Sequence, residues 1–362
     1  MKKIWNAHKE EIPISAIRVI KTIRVGEGPT DIVLNQRTNK LYVANNRSDS
    51  VSVINSGTNR VIATIKGVTD AATVAVNPFT NRIYVAGSGG KLFIIDGRTD
   101  TLIKTFNVGG AFTSIAVNVR TNLIYSLNIL KNAVTVIDGR RKKIVATIKV
   151  GKQNPAAALP DTVGVNPFVN RIFVLNTGAN TMSVIDGCTN KVVKTIKIGN
   201  KPSSLAINLR TDRIYAVTST KAGTVAVVDG RNNKLIKIIS GVGSVGTMGI
   251  NEVTNRIYAP DDTTGSRNVA VINGANNKVI ATVVNGESPV LALVNRKLNR
   301  IYVATAIGDT SRERVFVING ANNKIIANVR VGLSTLSGVV NEKNNRVYMA
   351  NQGENTISVI AG

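Results

Sequence analysis

Cysteine and histidine are nearly absent. The 362-residue chain contains one of each, Cys188 and His8. A single cysteine excludes an internal disulfide framework and a Cys-cluster metal site, and a single histidine excludes a multi-His centre. At most one Ser-His or Cys-His pairing is left to consider. Proline is sparse, at nine residues, and aromatics make up only 4% of the chain. Acids are also few, with 21 Asp plus Glu against 46 Lys plus Arg and a formal net charge of +25. No apolar run approaches the ~18 residues of a membrane-spanning helix. The opening MKKIWNAHKEEIPIS lacks the apolar centre of a signal peptide. It predicts a cytoplasmic location, or a cell-surface one if a leader has been removed. Hydrophobic residues, at 43%, suffice for a substantial core.

What the sequence does have is repetition. An Asn followed seven residues later by an aromatic recurs eight times: Asn35/Tyr42, Asn77/Tyr84, Asn118/Tyr125, Asn166/Phe173, Asn208/Tyr215, Asn251/Tyr258, Asn295/Tyr302 and Asn341/Tyr348. Successive Asn lie 42, 41, 48, 42, 43, 44 and 46 residues apart. That period fits propeller blades and some helical repeats. Short β-branched runs with period-two alternation, separated by turn-rich segments such as AsnProPheThrAsn, are strand grammar and leave no room for a helical stripe. Four strands per unit follow. Strand A ends at the repeated Asn, B carries the aromatic, C ends in a ValIleAspGly-like run, and D resembles LysValValLysThrIleLysIleGly. Four-stranded sheets around an axis are the blades of a β-propeller.

The ends predict how the ring closes. The eighth copy stops after strand C, and an unmatched D-type strand, roughly Ile17 to Val25, precedes the first A strand. Pairing the two removes both open edges. The expected fold is therefore all-β: an eight-bladed propeller of four-stranded antiparallel blades over residues 17–362, closed by the N-terminal strand, after a tail at 1–16. A monomer is expected.

The LeuTyrValAlaAsn, IleTyrValAla and ValTyrMetAlaAsn runs at 41–45, 83–86, 301–304 and 347–351, with the ValIleAspGly and ThrAsnLysValValLysThrIle elements, resemble the YVTN-type β-propeller repeat family. The resemblance covers residues 17–362. It implies the fold, and it implies membership of a group that includes surface-layer modules and nucleic-acid-binding propellers.

Little is left for catalysis. All seven Tyr and Phe173 occupy the repeated aromatic position, which reads as inter-blade packing. His8 lies in the tail, and Cys188 sits in a C–D turn with no His partner. Asp31, Asp70, Asp161 and Glu287 are dispersed, and Asp261-Asp262 reads as a capped loop. No cofactor or metal is expected. Four residues before each repeated Asn, six hydroxyls and one carboxylate predict a polar collar at the channel mouth: Asp31, Thr73, Ser114, Thr162, Ser204, Thr247 and Ser337, with Leu291 completing the eight. A lone carboxylate is a poor calcium site.

Charge and loop length separate the two faces. A–B and C–D turns keep constant length and carry 24 basic residues against eight acids, a net +16. The D–A and B–C loops hold every insertion, chiefly 151–162, 261–268 and 307–314, and net −2. Insertions gathered on one face mark a binding face of a repeat protein. The leading expectation is thus a non-enzymatic binding scaffold that contacts a protein or glycan through its variable loops. The alternative is an electrostatic binder of nucleic acid or another anionic polymer through the basic face. Its candidates are Arg140, Arg141, Lys142 and Lys143, the least repeat-like cluster, with Arg296, Lys297 and Arg300. A lactonase-like hydrolase is the third reading.

Overall fold

A computed structural model describes residues 17–155, 162–218, 223–243, 245–263, 265–284, 288–306 and 313–362. The expected tail and parts of the variable loops lie outside the described residues. The 32 strands form eight four-stranded antiparallel sheets, each joined in A-B-C-D order, and the described residues contain no helix. The eighth sheet runs Thr335–Asn341, Arg346–Asn351 and Thr356–Ala361, and its outer strand is Val19–Arg24 from the other end of the chain. The N-terminal strand exchange read from the sequence is the closure observed.

Burial follows strand position. B and C strands are buried on both faces, as at Leu41–Asn45, whereas D strands such as Arg60–Lys66 are largely exposed. Each aromatic plugs the seam to the next blade: Tyr42, for example, packs in one cluster with Val74, Ile83 and Phe93 of blade two. Burial raises the Tyr84 and Tyr215 hydroxyls to about 12, so they stay protonated and can donate.

The repeated Asn does two jobs. Its Oδ1 accepts the turn N–H two residues on, as from Arg37 at 3.1 Å, which closes the A–B turn. Its Nδ2 donates across the seam to the next blade's turn, from Asn35 to Asn81 at 2.7 Å, Asn77 to Asn122 at 2.7 Å and Asn118 to Asn170 at 2.7 Å. The receiving Asn sits at positive φ, 51° at Asn81, which Asn tolerates better than most residues. At the closing seam Asn341 turns to Ser56 Oγ instead, at 3.2 Å.

Candidate functional site

The constant-length face is layered by charge. All eight of its acids are buried or half-buried, whereas 17 of its 24 basic residues are exposed. Strand register explains the acids. Arg82, Arg171 and Arg213 open B strands directly opposite Asp96, Asp186 and Asp229, which end C strands. The resulting ion pairs measure 2.8, 2.6 and 2.5 Å. Lys40 reaches into the next blade to Asp100, at 2.7 Å. Burial acts to raise the Asp186 and Asp229 carboxyls, but turn N–H groups and the paired arginines outweigh it and hold both low. Pairing does not discharge the face, because each pair removes one charge of either sign and the net +16 stands. Every exposed charged side chain on it is cationic.

The ArgArgLysLys cluster lies at the tip of this layer. Arg140, Arg141, Lys142 and Lys143 are all exposed. Asp138 accepts the N–H groups of Arg140 and Arg141 at 2.9 Å each, so its carboxylate is turned into the bend. Lys142 has φ +54°, at the position held by Asn59, Asp100, Asn190, Asn233, Asn277 and Asn323 in the other blades. A side chain that cannot bond its own backbone there costs about 1–2 kcal/mol, a penalty Asn and Asp soften. Three of the sister residues also serve the preceding blade: Tyr42 donates to Asp100 at 3.2 Å, Tyr125 donates to Asn190 at 3.4 Å and the Tyr348 hydroxyl hydrogen-bonds Asn59 at 3.0 Å. Lys142 offers no acceptor, and the Tyr84 hydroxyl donates to Asn122 instead, at 3.1 Å. The turn rule is broken where the positive charge is densest.

The other cationic candidates divide. Lys297 is exposed. Arg296 is held internally, with two 2.9 Å bonds to Glu342 and one of 3.2 Å to Glu252, and the Glu342 bond raises its pKa further. Arg300 is buried beside Tyr302, where strand register sets Asn319 rather than an Asp opposite it. Arg296 therefore braces blades six to eight, and Arg300 is a seam residue.

One pattern on this face was visible in the sequence but not read there. Two residues after each repeated Asn stand Arg37, Phe79, Arg120, Phe168, Arg210, Val253, Lys297 and Lys343. Through blade six, cations alternate with apolar groups. Arg37 lies 5.4 Å over the Phe79 ring and Arg120 lies 5.7 Å over that of Phe168, both within cation–π range. The two rings are 66% and 65% exposed, far more than packing aromatics would be.

At the opposite end of the axis the collar differs from expectation. In blades one, two, three, seven and eight the A–B pairing skips a residue: Thr30, Ala72, Thr113, Val290 and Leu336. These bulges re-aim the strand, and four of the five residues line a cavity of about 440 Å³ at the channel mouth. Asp31, Thr73, Thr247 and Ser337 also line it, whereas Ser114, Thr162 and Ser204 do not. Ser114 Oγ accepts the Val163 N–H of the next blade at 3.2 Å. Asp31 staples three blades, accepting Ser337 Oγ at 2.9 Å, Thr73 Oγ1 at 3.0 Å and the Val74 N–H at 2.9 Å. Burial pushes its carboxyl above the usual range in spite of these donors.

Among the described residues the remaining catalytic candidates do not converge. Cys188 is an exposed turn residue whose Sγ accepts Asn170 Nδ2 at 3.2 Å. Asp261 caps its own loop, taking the hydroxyls of Thr263 and Ser266 at 2.7 Å each. Among the described residues no three His, Cys, Asp or Glu are grouped as metal ligands. His8, Asp161 and Glu287 lie outside the described residues.

No family model matches the chain, and no curated protein matches it. Solved structures do. Kuenenia stuttgartiensis hydrazine synthase aligns over 100% of this chain and 99% of that one, with a TM-score of 0.64 and 14% identity. Saccharomyces cerevisiae Sqt1 aligns over 95% of this chain and 98% of that one, with a TM-score of 0.78 and 9% identity. At such identities the likeness establishes the propeller fold alone.

Proposed function

We propose that this protein is a non-enzymatic binding propeller that docks on an anionic polymer through its A–B/C–D turn face. The observation that carries the reading is the layering of charge, with exposed cations above acids sunk into the turns. A polymer approaching from solvent meets positive charge alone. Retention of Lys142 at φ +54° supports it, because a locally costly residue is kept where it adds charge. The basic face thus stands ahead of the variable face, the reverse of the order expected from the sequence. The variable face is near neutral and offers no comparable layer of charge. The YVTN-type resemblance agrees with this choice, since that group includes nucleic-acid-binding propellers.

Rigid turns of constant length suit phosphate contact rather than base reading, so weak sequence preference follows. The test replaces Arg140, Arg141 and Lys143 by Gln and Lys142 by Asn, and compares duplex DNA binding with the parent at low salt. An affinity loss of tenfold or more, with no change on an uncharged glycan panel, is expected. Parent protein that binds no duplex DNA, heparin or polyphosphate at low salt would overturn the reading.

A further inference from the structure

In a ring built from eight copies of one unit, places where the copies disagree show where the ring is not merely structural. Five such departures line the cavity at the channel mouth. Asp31 stands where other blades carry a hydroxyl, and Leu291 takes the same position in blade seven. Leu293 is the bulkiest residue at a position otherwise filled by Val, Ala or Gly. Phe112 is the one aromatic six residues before a repeated Asn, and Leu336, at a bulge, is 53% exposed. Phe112, Leu291, Leu293 and Leu336, with Ile32, give the cavity an apolar lining interspersed with hydroxyls, at a volume of about 440 Å³. Pockets of this size and make-up suit small organic ligands.

The carboxylate decides the ligand's charge. Asp31 accepts bonds from Ser337, Thr73 and the N–H groups of Ile32 and Val74, yet among the described residues no Lys or Arg pairs with it. These four donors favour the ionised form against the burial that disfavours it, a cation in the mouth would favour it further, and the carboxylate's acceptor sites are largely taken. A metal ion would need several more oxygens than one engaged carboxylate offers. An anion would be repelled. A ligand whose charge is spread over methyl or alkyl groups needs no direct hydrogen bond, and its body would cover the leucines.

We propose that the channel mouth binds a small organic monocation of the alkylammonium type, with its charged head near Asp31 and its apolar body against Leu291, Leu293 and Leu336. The mouth opens on the near-neutral face, away from the cationic turns, and the proposal is independent of polymer docking. The test is calorimetric titration of the full-length protein with choline and with its uncharged carbon isostere, dimethylbutanol. Choline is expected to bind at least about tenfold more tightly, the lower range for a charge-assisted contact. Asp31→Thr, which installs the residue of blades two, four and six, should abolish that preference. Leu336→Thr, which matches blades one and three at an exposed site, should weaken both ligands several-fold and leave the preference intact. Equal affinity for the two ligands, no binding of choline, or a preference that survives Asp31→Thr would overturn the proposal. Should Asp31→Thr unfold the seam, the comparison on the parent and on Leu336→Thr decides the matter.

Discussion

Lys142 offers the sharpest separation of structure from use. Replacing it by Asn restores the residue type that five of the other six C–D turns carry at positive φ. Two terms favour the variant. The left-handed backbone costs Lys about 1–2 kcal/mol, of which Asn recovers a part. The Asn carboxamide also provides the acceptor that Asn190 gives Tyr125 in the equivalent seam. Tyr84 already donates to Asn122, so the second term is small. A net gain of about 0.5–1 kcal/mol follows, which for a chain of this length raises the thermal midpoint by only about 1 °C. Calorimetry of Lys142→Asn beside the reverse change Asn190→Lys resolves it, because the second variant should lose at least as much as the first gains. Binding should move the other way, with Lys142→Asn weakening duplex DNA several-fold through the lost charge. A Lys142→Asn protein no more stable than the parent, paired with a harmless Asn190→Lys, would refute the reasoning.

Two further expectations concern the seams and the turns. Phe173 is the one aromatic of its position without a hydroxyl, and in the next blade the buried Asn233 Oδ1 has no hydrogen-bond partner among the described residues. Phe173→Tyr should pair with it as Tyr125 pairs with Asn190 and stabilise the ring by about 0.5–1.5 kcal/mol in chemical denaturation, whereas no gain would show that the new hydroxyl does not reach the Asn. Asp186, Asp229 and Glu342 have carboxyls held below their ordinary values, so their contribution is full above about pH 4–5 and is lost as pH falls through their folded pKa values. Asp31, raised by burial, acts in the opposite sense, and its share of stability declines as pH rises above the ordinary carboxylate range. The three turn carboxylates predict a thermal midpoint that drops on acidification below about pH 4, and an Asp186→Asn, Asp229→Asn and Glu342→Gln variant that loses as much between pH 7 and 3 as the parent would contradict these assignments.

The fold was legible because its determinants are local and copied eight times. Asn at the end of strand A, an aromatic on B and AspGly after C each report a fixed site in a blade, and the unmatched strand before Pro29 announced the closure. Seam chemistry was not legible, since nothing within one repeat says that Asn35 meets Asn81. The collar was legible in part, since Asp31, Thr73, Thr247 and Ser337 line the mouth while Ser114, Thr162 and Ser204 do not. Strict alternation puts residues two and four before the Asn on one face, but a bulge between them and the strand start re-aims its residue into the mouth. Leu336 and Thr113 thus line the cavity while Ser114 bonds across a seam. Arg296 and Arg300 read as surface charge, because the sequence does not show that Glu252 and Glu342 flank the first or that the second opens a buried strand. The Arg–Phe alternation was readable by aligning the repeats one position further on.

Docking through the basic face is tested most directly by the salt dependence of duplex DNA binding by the unmodified protein. Each phosphate neutralised contributes about −0.9 to the slope of log K against log salt concentration. With four exposed cations in the 140–143 cluster alone, the slope should be about −3 or steeper and should be the same on unrelated sequences. A slope near zero, or binding confined to one sequence, would contradict the account.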